Sequence, residues 1–427
     1  MWNKIIKGAI PLTICLILII TSLLIGGCGE TGTTKDKIVI GASRSITGPL
    51  SIFEDSAFGP IYKMWVEEVN AAGGIDVGGK KLLVEMKVYD DASDPANVAR
   101  NIEKLCTEDN VDFLFGPCGT AMLFAAAPIA NKYETIMIAA EGGCTTLEPK
   151  LADMPWVFSV LNYSNHFQMP VFTDICVEVG AKSAYICYIA DLHGAEYNLT
   201  AQSEFTLKGI SIVASKSFPV DIKDMDPIIK EAKASGADIF CCFGYPDQVM
   251  LATGTAIALD YNPNIFLLGP GANFGFYLSA FGPMAEGVMG EGAWNAKSSP
   301  GAAEFVDKFV ARWGEGGVAI FGDEKALVDW WGHLVYWGAL EHFQQAIEKA
   351  GTLDNVKVRE VMATETFETA LGPMRWDVFG DGAGGGLLPQ DSYAGQIGQW
   401  QNGVFEVIDP GDKRTAPPVY PKPAWPK

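Results

Sequence analysis

The stretch Lys37-Ile38-Val39-Ile40-Gly41 has the β-branched, apolar character of a buried strand, and residues 57–72 follow it as a helix that Gly73-Gly74 ends. The same succession of a strand and a helix recurs along the chain. Strands are predicted at 82–88, 111–115 and 135–140, and helices at 95–108 and 121–132. This βαβα order predicts a mainly parallel sheet covered by helices.

A second unit of the same kind begins near residue 184. Its predicted strands are 184–189, 210–215, 238–243 and 265–268, and its helices are 195–207, 224–234 and 247–259. Trp156-Val157-Phe158 lies between the two units and is predicted to cross from one to the other. The fold class is therefore α/β, with two successive lobes.

A later amphipathic block, residues 304–312 and 325–350, has no strands of its own to cover, so it is predicted to pack back on an existing sheet. We expect the chain to return to lobe one near residues 290–294 and to cross again near 371–376. Lobe one is then residues 37–157 and 291–370, and lobe two is 158–290 and 371–427. Three crossings make a three-stranded hinge, which suits closure of the lobes on a ligand.

The N-terminus has the pattern of a secretory signal: two lysines in the first seven residues, then an apolar run over residues 9–25. Leu24-Ile25-Gly26-Gly27-Cys28 resembles the bacterial lipobox. We therefore predict a signal peptide at 1–27, a lipid anchor on Cys28 and a flexible tether at 28–36. The alternative is an uncleaved transmembrane anchor, since the run approaches the roughly 20 residues that span a bilayer. Both place the rest of the chain outside the cytoplasmic membrane, in the cell envelope.

Composition argues against several functions. With 51 acidic and 31 basic residues the formal charge is −20, which disfavours nucleic acid as a partner. No GxGxxG follows the first strand, and neither a Walker motif nor HExxH occurs, so no cofactor, metal or enzymatic activity is predicted. Of the nine cysteines, Cys15 lies in the predicted signal and Cys28 is the predicted anchor. Most of the other seven are predicted to be free thiols of the core, because several lie in apolar strand-like runs.

Several short motifs occur in a characteristic order. They are Ile46-Thr47-Gly48-Pro49, residues 69–75, residues 90–95, Phe115-Gly116-Pro117, Tyr245, Gly269-Pro270 and residues 371–377. In this order the chain resembles the type I periplasmic binding proteins of the branched-chain amino acid (leucine/isoleucine/valine) group. The resemblance covers nearly the whole chain after the tether and implies a two-lobed receptor with a ligand between its lobes.

Three loops of lobe one follow predicted strands, at 48–49, 116–120 and 142–146. Ligands of open α/β sheets bind beyond the carboxyl ends of strands, where backbone N–H groups and helix N-termini face outward. Thr120 and Thr145 are therefore candidates for holding a carboxylate, with Gly119, Gly143 and Cys144 as competing positions. The alternative for each threonine is a helix N-cap without a ligand.

The resemblance assigns further pocket positions to Phe53, His193 and Tyr245. Trp331, an aromatic residue of the late helix, is a further candidate for the wall of an apolar pocket. His193 stands where the family often has tyrosine, and as a group that titrates near neutrality it can donate to an anion. For Trp331 the alternative is a core residue, because neighbouring aromatic residues share its helix.

Gly271 is the main departure from the family pattern. Amino acid binders of this group typically carry an acid just after the Gly-Pro at 269–270, which pairs with the ligand's ammonium group. Glu141, Asp191 or Asp247 remain possible substitutes. A buried ammonium without a counter-charge is costly, so a carboxylate that lacks the α-amino group becomes at least as good a candidate.

The sequence thus predicts an extracytoplasmic solute-binding lipoprotein of an ABC importer, whose partners are a permease and ATPase complex and whose ligand is an amino acid or a deaminated or aromatic carboxylate. The alternative is a ligand sensor that delivers its closed form to a signalling partner. The proline-rich stretch at 416–423 offers no output domain. Neighbouring genes for permeases and ATPases would distinguish the two.

Overall fold

A computed structural model describes residues 35–140, 146–160, 165–292, 294–314, 327–389 and 395–427. Their strands, in chain order, are β1 Lys37–Arg44, β2 Ile75–Val77, β3 Lys80–Asp90, β4 Phe113–Phe115, β5 Met137–Ala140, β6 Val157–Ser159, β7 Ser183–Ile189, β8 Ser211–Phe218, β9 Ile239–Phe243, β10 Ile265–Leu268, β11 Met289–Glu291, β12 Phe367–Thr369, β13 Gly372–Met374, β14 Asp377–Val378, β15 Gly386–Leu387, β16 Ile397–Gln401 and β17 Val404–Asp409.

The helices alternate with these strands. They are α1 Gly59–Ala71, α2 Pro95–Thr107, α3 Thr120–Lys132, α4 Glu148–Leu151, α5 Asn165–Glu178, α6 Leu192–Leu207, α7 Asp226–Ser235, α8 Pro246–Ala258, α9 Gly275–Phe281, α10 Pro300–Trp313, α11 Gly332–Ala350 and α12 Asn355–Thr364. A short π-helical stretch, Glu54–Phe58, leads into α1. In the described part of the chain, no helix has both the length and the apolar character that crossing a bilayer requires.

Two large sheets carry the two lobes. The first has the strand order β14-β15-β6-β5-β4-β1-β3-β2, and the second has the order β17-β16-β11-β10-β9-β7-β8. Neighbouring strands in the middle of each sheet run parallel, whereas β2 and β14 at the edges of the first sheet and β16 and β17 in the second run antiparallel. The predicted α/β fold with two lobes is confirmed.

The late helices pack against elements of the first sheet and its helices. On α11, the Phe343 ring lies 5.0 Å from the Phe113 ring of β4 and 6.5 Å from the Trp65 ring of α1. Helix α10 is tied to α1 by ion pairs from Lys308 to Glu68 and from Arg312 to Glu67. These helices thus bury their apolar faces against the first sheet, because no strands of their own accompany them.

Sheet membership places the last crossing of the chain. Leu387 pairs with Ser159 in the first sheet, and Ile397 pairs with Glu291 in the second, so the chain crosses between 387 and 397. The sequence predicted this crossing near residues 371–376, which is too early. The error arises because β14 and β15, which still belong to the first sheet, have only two residues each and show no hydrophobic periodicity. The lobe boundaries themselves stay a prediction.

The core of lobe two contains the free thiols that the sequence predicts. Cys176, Cys187, Cys241 and Cys242 are all fully buried and form no disulfide. Burial raises the pKa of the thiols of Cys176, Cys187 and Cys241 well above the ordinary value. These cysteines therefore behave as small apolar side chains.

Candidate ligand-binding cleft

A cavity of about 380 Å³ lies between the two lobes. Lobe one contributes Pro49, Leu50, Ile52, Ser93, Gly119, Thr120, Ala121 and Met122. Lobe two contributes Asp191, Val220, Asp221, Ile222, Lys223, Tyr245, Pro246, Asp247 and Gln248. The volume suits a small organic ligand, which sites of this type enclose among apolar walls and a few polar groups.

The lobe-one wall is built on the N-terminus of α3. Gly119 is the N-cap residue, with φ of 98°, a left-handed conformation that glycine adopts without strain. No side chain caps the helix, and Leu123 is bonded through its N–H to the Gly119 carbonyl. The first turn therefore presents backbone N–H groups beside the cavity, which is the usual way in which a helix N-terminus binds an anion.

Thr120 is the first residue of α3 and is buried, so it is not the N-cap that the alternative interpretation expected. Gly119 and Thr120 both line the cavity, opposite Tyr245 of lobe two. The structure thus brings together these three predicted positions around one space.

Phe53 and Tyr245 meet across the two lobes. Their ring centroids are 5.9 Å apart and their planes are nearly perpendicular, an arrangement that aromatic pairs favour. Phe53 is otherwise buried, and its ring also lies 6.3 Å from that of Phe274 in lobe two. The contact joins the lobes at one side of the cavity.

His193 lies behind Tyr245, with its ring stacked on the tyrosine ring at 5.0 Å. It is only 6 % exposed, and burial lowers its pKa, while the nearby charge of Asp191 opposes this effect. The imidazole is therefore held toward its neutral form. It stands close to the cavity, next to two residues that line it, Asp191 and Tyr245.

Asp191 has two hydrogen bonds that fix its carboxylate. It accepts from the Tyr245 hydroxyl at 2.8 Å and from the Gly194 backbone N–H at 2.9 Å, which caps α6. Burial raises the pKa of the Tyr245 hydroxyl well above its ordinary value, so it stays a donor. Asp191 is thus engaged within lobe two, which weakens the case for it as a counter-charge to a ligand ammonium.

Gly271 has no room for a side chain. Its φ is 129°, and a Cβ atom added there would lie 2.8 Å from the Cα of Pro246. The backbone at this position is therefore built for glycine, and an acid is excluded by geometry as well as by sequence. Glu141, the third suggested substitute, lies outside the described residues.

Two buried residues that sequence reasoning missed link the Gly271 loop to the start of α11. The Asn273 side chain accepts from the Gly271 N–H at 3.0 Å and donates to Asp329 Oδ1 at 2.6 Å. Asp329 Oδ1 also accepts from the Trp331 N–H at 3.0 Å. Burial raises the pKa of the Asp329 carboxyl to about 7. Trp331 is itself buried, packed against Gly292, and is not among the residues that line the cavity.

Four predicted positions lie outside the described residues: Cys28, Gly143, Cys144 and Thr145. Conversely, the loop Val220–Lys223 lines the cavity although it carried no motif. Lys223 is the one cationic side chain among the described residues that line this space, and its proximity to Gly119 follows only from the folded arrangement.

Comparison with known proteins shows which family has this sequence pattern and fold. The sequence profile described as "Periplasmic binding protein" matches residues 37–400. The leucine-, isoleucine-, valine-, threonine- and alanine-binding protein of Pseudomonas aeruginosa is 24 % identical over 365 residues, which are 84 % of this chain and 91 % of the relative.

Solved structures agree in fold. The leucine-binding protein of Thermotoga maritima has a TM-score of 0.70 at 19 % identity, covering 88 % of this chain and 99 % of that one. A solute-binding protein of an ABC transporter from Rhodopseudomonas palustris, solved with 3,4-dihydroxybenzoic acid, has a TM-score of 0.69 at 19 % identity, covering 86 % and 94 %. The chain therefore belongs to the periplasmic binding protein family, in the branched-chain amino acid group, and is a solute-binding protein rather than an enzyme.

Proposed function

We propose that this protein is the lipid-anchored solute receptor of an ABC importer and that it holds a small carboxylate in the interlobe cavity. Lobe one binds the carboxylate, and lobe two closes over the rest of the ligand. The N-terminus of α3 is the observation that carries this proposal, because its first turn faces the cavity without a side-chain cap.

The chemistry of the wall supports an anion. Backbone N–H groups and the positive end of the helix dipole stabilise negative charge without a cationic side chain. The described residues of lobe one that line the cavity carry no charge, so nothing there opposes a carboxylate. Lys223, across the cavity in lobe two, adds positive charge.

Closure follows from contacts made only when the lobes meet. The Phe53 and Tyr245 rings join lobe one to lobe two beside the cavity. A ligand that contacts both walls favours the closed form by its difference in affinity for the two states. In an importer, the permease reads that closed form.

The ligand class follows from Gly271. With no acid at position 271 and with Asp191 bonded within lobe two, the acids left for a ligand ammonium in the described part of the cleft are Asp221 and Asp247. Both line the cavity but are exposed to solvent, so neither is a buried counter-charge. This favours a carboxylate without an α-amino group, aliphatic or aromatic. The relatives are consistent with both classes, since one binds leucine and related amino acids and another was solved with a dihydroxybenzoic acid.

Acid and amide pairs test the carboxylate requirement. Calorimetry compares 3-phenylpropanoate with 3-phenylpropanamide, and phenylalanine with phenylalaninamide. We expect binding of at least one acid and a loss of about a hundredfold or more for its amide, because the amide carries no charge for the α3 N-terminus. Equal binding of acid and amide would remove the proposal.

The anchor and the importer are tested separately. Labelled palmitate is expected to enter the wild-type protein in a bacterial host and not the Cys28→Ala variant, and labelling of that variant would contradict the lipid anchor. Genes for two permeases and two ATPases beside this one are expected for an importer. A kinase or chemoreceptor gene in their place would favour a sensor.

A further inference from the structure

Four buried polar side chains form a cluster beside the second sheet, which we call the inner polar cluster: Gln168, His193, Tyr197 and Glu291. The Tyr197 hydroxyl donates to Gln168 Oε1. The Tyr197 ring lies 4.9 Å from the His193 ring, and its hydroxyl is close enough to Glu291 to oppose the rise in the pKa of that carboxyl. The four are at most 6 % exposed.

The cluster leaves hydrogen-bonding groups without partners. Gln168 Nε2, His193 Nε2 and both carboxyl oxygens of Glu291 have no hydrogen bond of ordinary geometry. Buried polar groups in folded proteins are nearly always bonded, so a concentration of unsatisfied ones indicates a missing partner, either a ligand group or ordered water. Their number around a single tyrosine sets this region apart from an ordinary apolar core.

The cluster adjoins the ligand cavity. His193 contacts Tyr197 and also stacks on Tyr245, which lines the cavity. His193 and Tyr197 lie in the first turns of α6, directly after β7, and Glu291 is the last residue of β11. These three residues therefore lie at the carboxyl edge of the second sheet, the edge where ligands of this sheet type bind, and Gln168 of α5 joins them through its bond with Tyr197.

The unsatisfied atoms define the chemistry of the missing partner. Gln168 Nε2 is a donor, and the oxygens of Glu291 accept hydrogen bonds in either protonation state. A second carboxylate would be repelled where Glu291 is ionised, and beside a protonated Glu291 it would be a buried charge with no cation among these four side chains, which is costly. An apolar group would leave every atom unsatisfied. A hydroxyl donates and accepts at once and so complements both.

We propose that the inner polar cluster recognises a hydroxyl group at the end of the ligand remote from its carboxylate. The protein then selects hydroxylated carboxylates over their unsubstituted counterparts. This inference rests on the proposed function, because the carboxylate bound at α3 sets which end of the ligand reaches lobe two.

Paired ligands test it on the wild-type protein. Calorimetry compares 4-hydroxybenzoate with benzoate, and 3-(4-hydroxyphenyl)propanoate with 3-phenylpropanoate. The two pairs differ in the distance between the hydroxyl and the carboxylate. In at least one pair we expect the hydroxylated acid to bind tenfold or more tightly. A ratio within threefold in both pairs, as expected if only water fills the cluster, overturns the inference and leaves the carboxylate proposal intact. If none of the four acids binds, these carboxylates are not ligands of the cleft and the inference falls with that class.

Variants assign the preference to the cluster. In the ligand pair for which the wild type prefers the hydroxylated acid, Glu291→Met and Gln168→Met are expected to reduce the ratio of the two affinities to threefold or less. The unsubstituted acid should keep its affinity. Gln202→Met, on α6 but bonded to Asn198, is the matched control and keeps the wild-type ratio. An unchanged ratio in both cluster variants overturns the inference. If either variant fails to fold, the wild-type ratios and the remaining variant still decide.

Discussion

The two walls of the cavity differ in how they carry their polar groups. The lobe-one wall has no charged side chain among its described residues and offers backbone N–H groups of α3, whereas the lobe-two wall carries Asp191, Asp221, Lys223 and Asp247. Behind Tyr245 lie the buried His193 and, at the end of β11 in the second sheet, the buried Glu291. This difference suggests a division of labour: lobe one binds a feature common to all ligands, and lobe two selects among them.

Backbone groups suit the first task because a helix N-terminus keeps its positive end whatever side chains surround it. Side chains suit the second task because substitution changes them one at a time. In this chain the position that the family resemblance assigns to an acid is Gly271, whose backbone admits no side chain. Gly271 is not among the described residues that line the cavity, but its loop packs against Pro246, which does. The departure from the family pattern therefore lies on the lobe-two side of the cavity.

A charge at α3 is expected to have the largest effect. Ala121→Asp places a carboxylate at the second helical position, beside the proposed ligand carboxylate, and should weaken acid binding about a hundredfold, since opposed like charges at an interface cost several kcal/mol. Calorimetry with the tightest-binding acid measures the loss. Ala96→Asp introduces the same residue at the same position of α2, outside the cavity, and should bind normally. Equal affinities of the two variants would show that α3 does not hold the ligand.

This departure can be tested at Gly271. Gly271→Glu should not create a preference for amino acids and should lower the free energy of unfolding by about 2 kcal/mol, because the positive φ and the contact with Pro246 both oppose a side chain. Thermal unfolding and calorimetry with leucine measure the two effects. Gly236→Glu, at φ of 66° with open space around it, is the control and should cost less. A gain in leucine binding at unchanged stability would contradict this interpretation.

The contact between the walls is tested at Tyr245. Tyr245→Ala removes the Phe53 contact between the lobes and should weaken ligand binding by up to about tenfold, since an aromatic pair contributes about 0.5–1.5 kcal/mol. The stacking on His193 is also lost, but it lies within lobe two in either state. Tyr245→Phe keeps both ring contacts and loses only the hydrogen bond to Asp191, which lies within lobe two in either state, so it should bind within about threefold of wild type. If alanine and phenylalanine behave alike, the rings do not hold the lobes together.

A smaller effect concerns pH. Burial raises the pKa of Glu291 to about 8, so the folded protein retains a proton that the unfolded chain releases near the ordinary value of 4.5. The stability that this retained proton contributes is fully present below pH 4.5 and is lost as the pH rises toward 8. Between pH 7 and 8.5 the free energy of unfolding should fall by about 1 kcal/mol more for the wild type than for Glu291→Gln.

Thermal unfolding at several pH values between 7 and 8.5 measures how the free energy of unfolding changes with pH. Asp329, whose pKa is also raised, contributes equally to both proteins and cancels in the comparison. Glu304→Gln removes an exposed acid and should follow the wild type. Identical slopes for wild type and Glu291→Gln would show that Glu291 titrates normally.

Much of the fold could be predicted because hydrophobic periodicity marks buried elements directly. The strand predicted at 265–268 is β10 as observed, and most other strands and helices differ by a few residues at their ends. The last crossing was placed too early, since two-residue strands such as β14 leave no period to detect.

The site was less accessible to sequence reasoning. Tyr245, Gly119 and Thr120 follow strand ends, where ligands are expected, and the structure places all three at the cavity. Asn273, Asp329 and Lys223 carry no motif, and their proximity comes from elements distant in the chain. The roles assigned to His193 and Trp331 stay predictions.

Calorimetry of the purified protein with leucine, phenylalanine and their deaminated analogues, 4-methylpentanoate and 3-phenylpropanoate, measures whether the cleft binds a carboxylate without recognising an amino group. We expect at least one deaminated acid to bind as tightly as its amino acid or more so. Tight binding confined to the two amino acids would contradict a cleft that recognises the carboxylate alone.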